Sequence, residues 1–498
     1  MKKESIGNLI LRNSLWNSFS ALIAKLGGFI FTIVIARLLL PELFGLYSLV
    51  LSIALIAMVL TDAGTSSGIL MFIPKALKEK NNRVNARSNF RYLLKVKGLV
   101  MSIVILLLLI LARPLAYNFF EKPAIFLPIL LATLYIITTS MKDMFYNLFV
   151  SLKELSRVPV ITTIYHLSKI ILSIVAVILL PVSYKISGIF VAFSLAALIA
   201  LVYILVLLRK NKDLILGKIK EIKKPRINKY LLHLSFASLT LVIFGSMDTL
   251  MLSKFVEPEF LGYYRAALSL ALAIPGFFAI WDVILPIFTQ VNQKSLEKTS
   301  KDILRFVMML SIPAAAGLIV LARQSTLLIY GKEYILATAP LIILSTLVIT
   351  SPLIAFHSSV LKAKENTKFL AKFILISALL NIALNYILIS YLIKLGPIHA
   401  LMGAAIATVF SRVFLLAALA SKNYTAHNIL PLKLPIIKFF ISSSVMAIAI
   451  ILFNKLINLN PILGLIEIPV GILIYFGVLL IIKGVTVDEI KALRPSRR

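Results

Sequence analysis

Lys25, Lys142, Lys169, Arg265 and Arg412 stand inside stretches of this sequence that are otherwise apolar enough to cross a bilayer. A charge at membrane depth is costly, so each marks a functional site unless it reaches water at an interface. Lys25 lies near the middle of its run, on a stripe of Ser14, Asn17, Ser18, Ala21, Gly28 and Thr32 spaced three or four apart. One helix face therefore carries all of them. Such a stripe is either a packing seam between helices or the wall of a water-filled cavity, and a lysine at its centre favours the cavity. Lys169 lies mid-run with His166 three residues earlier, and Arg412 is also mid-run. Lys142 stands beside Asp143 near one end of its run, open either to a local ion pair or to snorkelling. Arg265 lies close enough to a run's end for snorkelling to be the simpler role. Cations at mid-depth lower the cost of bringing an anion such as a phosphate into hydrocarbon, where an unpaired charge is prohibitive.

The acids inside apolar runs are Asp62, Asp143, Asp248, Asp282 and Glu467. Asp62, Asp248 and Asp282 are candidates for Na⁺ or H⁺ coupling, or for neutralising a nearby cation. There is no cysteine, so no disulfide or thiolate metal site exists, and no metal site is expected. No phosphate-binding glycine loop occurs, so direct use of ATP is not expected. The outer loops are too short for a cluster of carboxylates and histidines. We expect no enzyme chemistry and no cofactor.

These residues must be positioned by membrane-spanning helices. Of 498 residues, 60% are hydrophobic and 14% charged, and the net charge is +32. Apolar runs of about 20 residues recur, each long enough to span. The spacing predicts about fourteen spans: 14–36, 43–73, 92–112, 124–149, 160–180, 186–208, 230–253, 262–290, 303–322, 335–361, 369–393, 400–421, 436–454 and 462–482. About 39 cations fall in the loops after even spans and in the two tails, against about 10 in the other loops. That lopsidedness predicts a multi-pass protein of the cell membrane with both termini in the cytoplasm. It also assigns the charge to anionic lipid rather than to nucleic acid. The N-terminal segment leads straight into a full-length span and is read as retained.

One stretch occurs twice. Ala36 to Tyr47 contains Arg37, Pro41, Glu42, Gly45 and Tyr47, and about 217 residues later Lys254, Pro258, Glu259, Gly262 and Tyr264 repeat them in register. Two further echoes follow: Leu152-Lys153 with Leu361-Lys362, and Gly188 with Gly403, each in a similar local run. Two parallel six-span repeats result, related by an axis along the membrane normal. The expected organisation is a first lobe over 1–208, a basic linker over 209–229 and a second lobe over 230–421. Two extra spans and a basic tail follow over 422–498.

The Pro-Glu-x-x-Gly-x-Tyr turn after span 1, its echo after span 7, the six-plus-six plan and the two extra helices resemble the polysaccharide-biosynthesis flippases. These belong to the multidrug/oligosaccharidyl-lipid/polysaccharide exporter superfamily. The resemblance covers nearly the whole chain, but its motifs are short and shared with drug-exporting relatives. It implies an all-α, V-shaped transporter, expected as a monomer, whose central cavity opens alternately to each side. A lipid-linked saccharide with an anionic phosphate or pyrophosphate is the implied substrate. The alternative is a cation-coupled multidrug antiporter of the MATE type. Such drug exporters often use an acid in span 1, where this sequence has none.

Overall fold

The computed structural model describes residues 6–78, 82–152, 155–220, 224–277, 288, 293–429, 436–457 and 466–485. Among them the chain is helical almost throughout. An apolar segment in lipid must satisfy every backbone N–H and C=O internally, and the helix does so within one segment. The chain divides into two compact units, residues 1–262 and 263–498.

The first unit begins with α1 (Ile6–Asp62), which is two arms. A proline disfavours the α region for the residue before it, and Leu40, before Pro41, takes φ 62 and ψ 171. The predicted span 43–73 is also broken. Ala63 and Gly64 take φ 45 and 71, and α2 (Thr65–Lys78) starts anew. A close approach accompanies the break: a Cβ on Gly64 would lie 2.8 Å from the Leu231 carbonyl oxygen. The helix carrying Leu231 thus rests on bare backbone.

Helix α3 (Asn82–Pro114) starts before the predicted residue 92. Leu99, Ile103, Leu106 and Ile110 are exposed along it, the face a membrane helix offers to lipid. Helices α4 (Phe126–Ser151), α5 (Val158–Leu179) and α6 (Lys185–Leu208) complete the bundle. Tyr47, Tyr135, Phe190 and Phe193 interlock at one level of its core. A second cluster, including Ile69, Phe90, Met144 and Leu148, fills another. Helix α7 (Lys224–Phe255) packs on α1 and α2, and α8 (Pro258–Phe277) begins in this unit and runs into the next.

The first copy of the repeated turn and the second as far as Gly262 lie in this first unit, and they meet through their glycines. A Cβ on Gly45 would overlap the Pro258 carbonyl oxygen and lie 2.9 Å from the Gly262 nitrogen. A Cβ on Gly262 would overlap the Pro41 carbonyl oxygen. Glycine is required at both positions because backbone meets backbone. Glu42 and Glu259 are exposed, while Pro41, Gly45 and Gly262 are buried. The segment between α3 and α4 ties the second copy down. Lys122 donates to the Ser253 carbonyl at 2.6 Å, and Lys254 pairs with Glu121.

The second unit contains α9 (Gln293–Val320), α10 (Ala322–Tyr330), α11 (Thr338–Leu344), α12 (Leu347–Ala363), α13 (Thr367–Leu392), α14 (Pro397–His427), α15 (Ile436–Ile457) and α16 (Glu467–Ile481). One core joins Leu304, Leu353 and Phe356, and another joins Ile312, Met446 and Tyr475. The echo at Gly188 and Gly403 has a shared role in the two units. A Cβ on Gly188 would meet the Ala176 side chain of α5 at 3.2 Å, and one on Gly403 the Leu388 carbonyl of α13 at 3.1 Å. Each unit thus uses a glycine to bring two consecutive helices close. Asn381, Asn385 and Thr408 form a buried hydrogen-bonded chain at the α13–α14 contact.

Among the described residues, ten helical stretches are long and apolar enough to cross a membrane. The first of them, Leu22–Lys78, holds predicted spans 1 and 2. With the pair Lys332–Leu344 and Leu347–Ala363, bent by 46°, and the shorter α8 and α16, about fourteen passes result. The protein is a multi-pass, all-helical membrane protein.

Candidate functional site

The polar residues of the first unit are set on the faces where α1, α4, α5 and α6 meet. Lys169 lies about 16 Å along α5 from its first residue, at 1.5 Å per residue, close to the middle of the helix. Its ammonium stands 3.9 Å from the Phe193 ring centroid and 4.7 Å from that of Phe31. Both rings are buried. Aromatic faces hold a cation without neutralising it. Lys25 is exposed on α1. Gly28, three residues on, has open space where a Cβ would stand, whereas Gly27 is packed against His166 of α5. The two lysines therefore sit on touching helices, α1 and α5. Among the described residues, neither has a carboxylate within ion-pair distance.

Lys142 behaves differently. Its ammonium pairs with Asp143 at 2.9 Å and lies 3.9 Å over the Tyr165 ring. The local ion pair, rather than escape to an interface, is the arrangement found. Asp62, a candidate coupling acid, ends α1 and serves the break before α2. Its Oδ1 accepts from the Ser66 hydroxyl at 2.5 Å, the Ser66 amide and Thr65 hydroxyl at 3.3 Å, and Lys97 at 3.0 Å. A carboxylate at a helix start satisfies donors the helix leaves over.

Sequence reasoning missed Lys97. This residue falls inside the predicted span 92–112 but outside the set of candidate cations, and in α3 it is 1% exposed. The aromatic pair under Lys169 was also missed. Phe31 and Phe193 are far apart in sequence, and no local spacing signals their meeting.

The remaining candidates are dispersed. Asp248 is buried in α7. In the second unit Arg412 is half-buried, with a long contact of 3.5 Å to the Ser351 hydroxyl, and Arg265 is half-buried in α8. Asp282 lies outside the described residues, as do the side chains of Ser14, Asn17, Ser18 and Ala21.

A cavity of about 400 Å³ opens where α1, α2, α3, α4 and α7 converge, lined by Asp62, Ser66, Lys97, Asp143, Tyr146 and Asn147 among others. The first unit thus offers two settings: lysines without a carboxylate partner among the described residues, and a charge-balanced polar hollow toward the α1–α2 break.

A family model described as "Polysaccharide biosynthesis protein" matches residues 10–292. The probable low-salt glycan biosynthesis flippase Agl15 of Haloferax volcanii is 28% identical over 243 residues, 47% of this chain and 48% of that one. The chain thus spans about half the length of this curated relative. Among solved structures, the lipid II flippase MurJ in an inward closed conformation gives a TM-score of 0.72 at 18% identity, covering 95% of this chain and 98% of that one. An outward-facing multidrug resistance MATE family transporter of the MOP superfamily gives 0.59 at 14% identity, covering 85% and 99%. At those identities the likeness is one of fold. The family match over more than half the sequence, on a helical fold of this kind, makes the chain a member of the polysaccharide biosynthesis protein family.

Proposed function

We propose that this protein is an alternating-access flippase. It moves a lipid-linked saccharide precursor with a phosphate or pyrophosphate head across the cytoplasmic membrane, both termini lying in the cytoplasm. The observation that supports this reading is that Lys25 and Lys169, on touching helices, have no carboxylate partner among the described residues. An anionic head must cross about 30 Å of hydrocarbon, and two such cations offset much of its desolvation. The Phe31 and Phe193 rings keep the Lys169 charge in place without quenching it. Arg412 and Arg265 would supply positive charge from the second half of the chain, so that binding biases closure. Transport requires no bond to be made or broken, in keeping with flippase and transporter relatives. Coupling to a Na⁺ or H⁺ gradient would fall on Asp62, Asp248 or Asp282. The protein would act as a monomer among anionic lipids.

The test uses full-length protein in liposomes with a fluorescent polyprenyl-pyrophosphate sugar. Lys169→Met should slow flipping at least about tenfold, the scale of losing about 1.4 kcal/mol of charge-assisted binding. Lys169→Arg should retain most of the rate. Unchanged flipping in Lys169→Met combined with Lys25→Met would refute the assignment. Efflux of organic cations in place of lipid flipping would favour a drug antiporter.

A further inference from the structure

We propose that the cavity at the α1–α2 break is a subsite for the uncharged sugar of the substrate's head group, separate from the lysines that meet its phosphate. The inference rests on the flippase reading above.

The cavity's charges cancel in pairs. Lys97 is bound to Asp62 at 3.0 Å and Lys142 to Asp143 at 2.9 Å. Each ion pair is neutral as a unit, so neither presents a net opposite charge to a phosphate or to a free cation. What remains is hydrogen-bond acceptance. Asp62 takes its four bonds on Oδ1, leaving Oδ2. Asp143 meets Lys142 through Oδ1, leaving Oδ2. Asn147 donates Nδ2 to the Asp143 carbonyl at 2.8 Å, leaving its Oδ1. Three acceptors thus border one hollow, together with Tyr146 and the hydroxyls of Ser66 and Ser238.

A phosphate presents acceptors only and would meet acceptors here. A polyol presents several hydroxyl donors, each able to use one of these oxygens. At about 400 Å³ the space lies within the range of small-ligand pockets, about 300–1,000 Å³. The ligand class that fits in size, charge and donor count is a neutral saccharide.

The experiment compares equilibrium binding of two probes to full-length detergent-solubilised protein: undecaprenyl pyrophosphate, and the same lipid bearing a hexose. Asn147→Ala removes an amide whose one side-chain hydrogen bond among the described residues is to its own helix, so the fold is spared. It should weaken the hexose-bearing lipid about tenfold relative to the bare lipid, the worth of a buried hydrogen bond. Asp143→Asn releases Lys142 and should shift the same ratio toward the bare, more anionic probe. If the wild type binds both lipids and neither substitution moves their ratio, the subsite is wrong and the flippase reading stands. Failure of the wild type to bind either lipid overturns both.

Discussion

Substituting Gly45 by alanine tests the contact between the two copies of the repeated turn. The added methyl would overlap the Pro258 carbonyl oxygen and stand 2.9 Å from the Gly262 nitrogen. Both obstacles are backbone, so no side chain can rotate away, and the segments must separate. Overpacking of this kind costs about 1–3 kcal/mol, and rigid neighbours place it at the upper end. Alanine's better helix propensity returns up to about 1 kcal/mol. The net loss is about 2 kcal/mol. For units of 150–250 residues, 1 kcal/mol lowers Tm by about 2–4 °C, so a fall of about 4–8 °C is expected. Intrinsic-fluorescence thermal unfolding in detergent measures it. Gly28→Ala and Gly245→Ala are the matched controls. Their new methyls meet nothing within 4 Å, so they should leave Tm unchanged or raise it. If Gly45→Ala and Gly262→Ala unfold together with these controls, the two turns are not in contact and the argument fails.

Asp62→Asn leaves the Lys97 ammonium, 1% exposed, without its carboxylate. Uncompensated buried charges cost about 3–5 kcal/mol, and the 31% exposure of Asp62 places the loss near the lower value. Adding Lys97→Met should restore most of the lost Tm; no restoration would mean that Asp62 acts mainly through Thr65 and Ser66. The Glu121–Lys254 tie should respond to pH. A hydrogen bond from Lys254, reinforced by its charge, holds the Glu121 carboxyl below its usual range. A depressed carboxylate stabilises the fold above its unfolded pKa, about 4.3, and that contribution disappears as pH falls through the lower folded value. Glu121→Gln should therefore flatten the dependence of Tm on pH in that acidic window and leave neutral behaviour little changed. Lys122, whose pKa burial lowers, remains able to hold the Ser253 carbonyl and keep the turn in place.

The family, the helical class and the near-fourteen passes were legible because their signals are local. A run of some twenty apolar residues reports a span by length alone. The repeated Pro-Glu-x-x-Gly-x-Tyr turn survives as a string. Even the role of Gly45 was half visible, since a glycine following Pro41 breaks the apolar pattern. Its contact with Gly262 was not.

What the tertiary structure decided is which polar groups face one another. Helical periodicity puts Lys25 and Gly28 on one face but says nothing of the helix that face meets. Lys97 lies near the start of the predicted span 92–112, where hydropathy does not distinguish a buried, paired cation from one at the interface. Its pairing with Asp62, 35 residues earlier in the chain, lies beside a break at Gly64 against which Leu231 packs. Lys169 stands between Phe31 and Phe193 because three helices converge there. The physical reason is one of range: apolar length and turn chemistry act within a few residues, whereas the neutralisation of a buried charge depends on groups that only packing brings near.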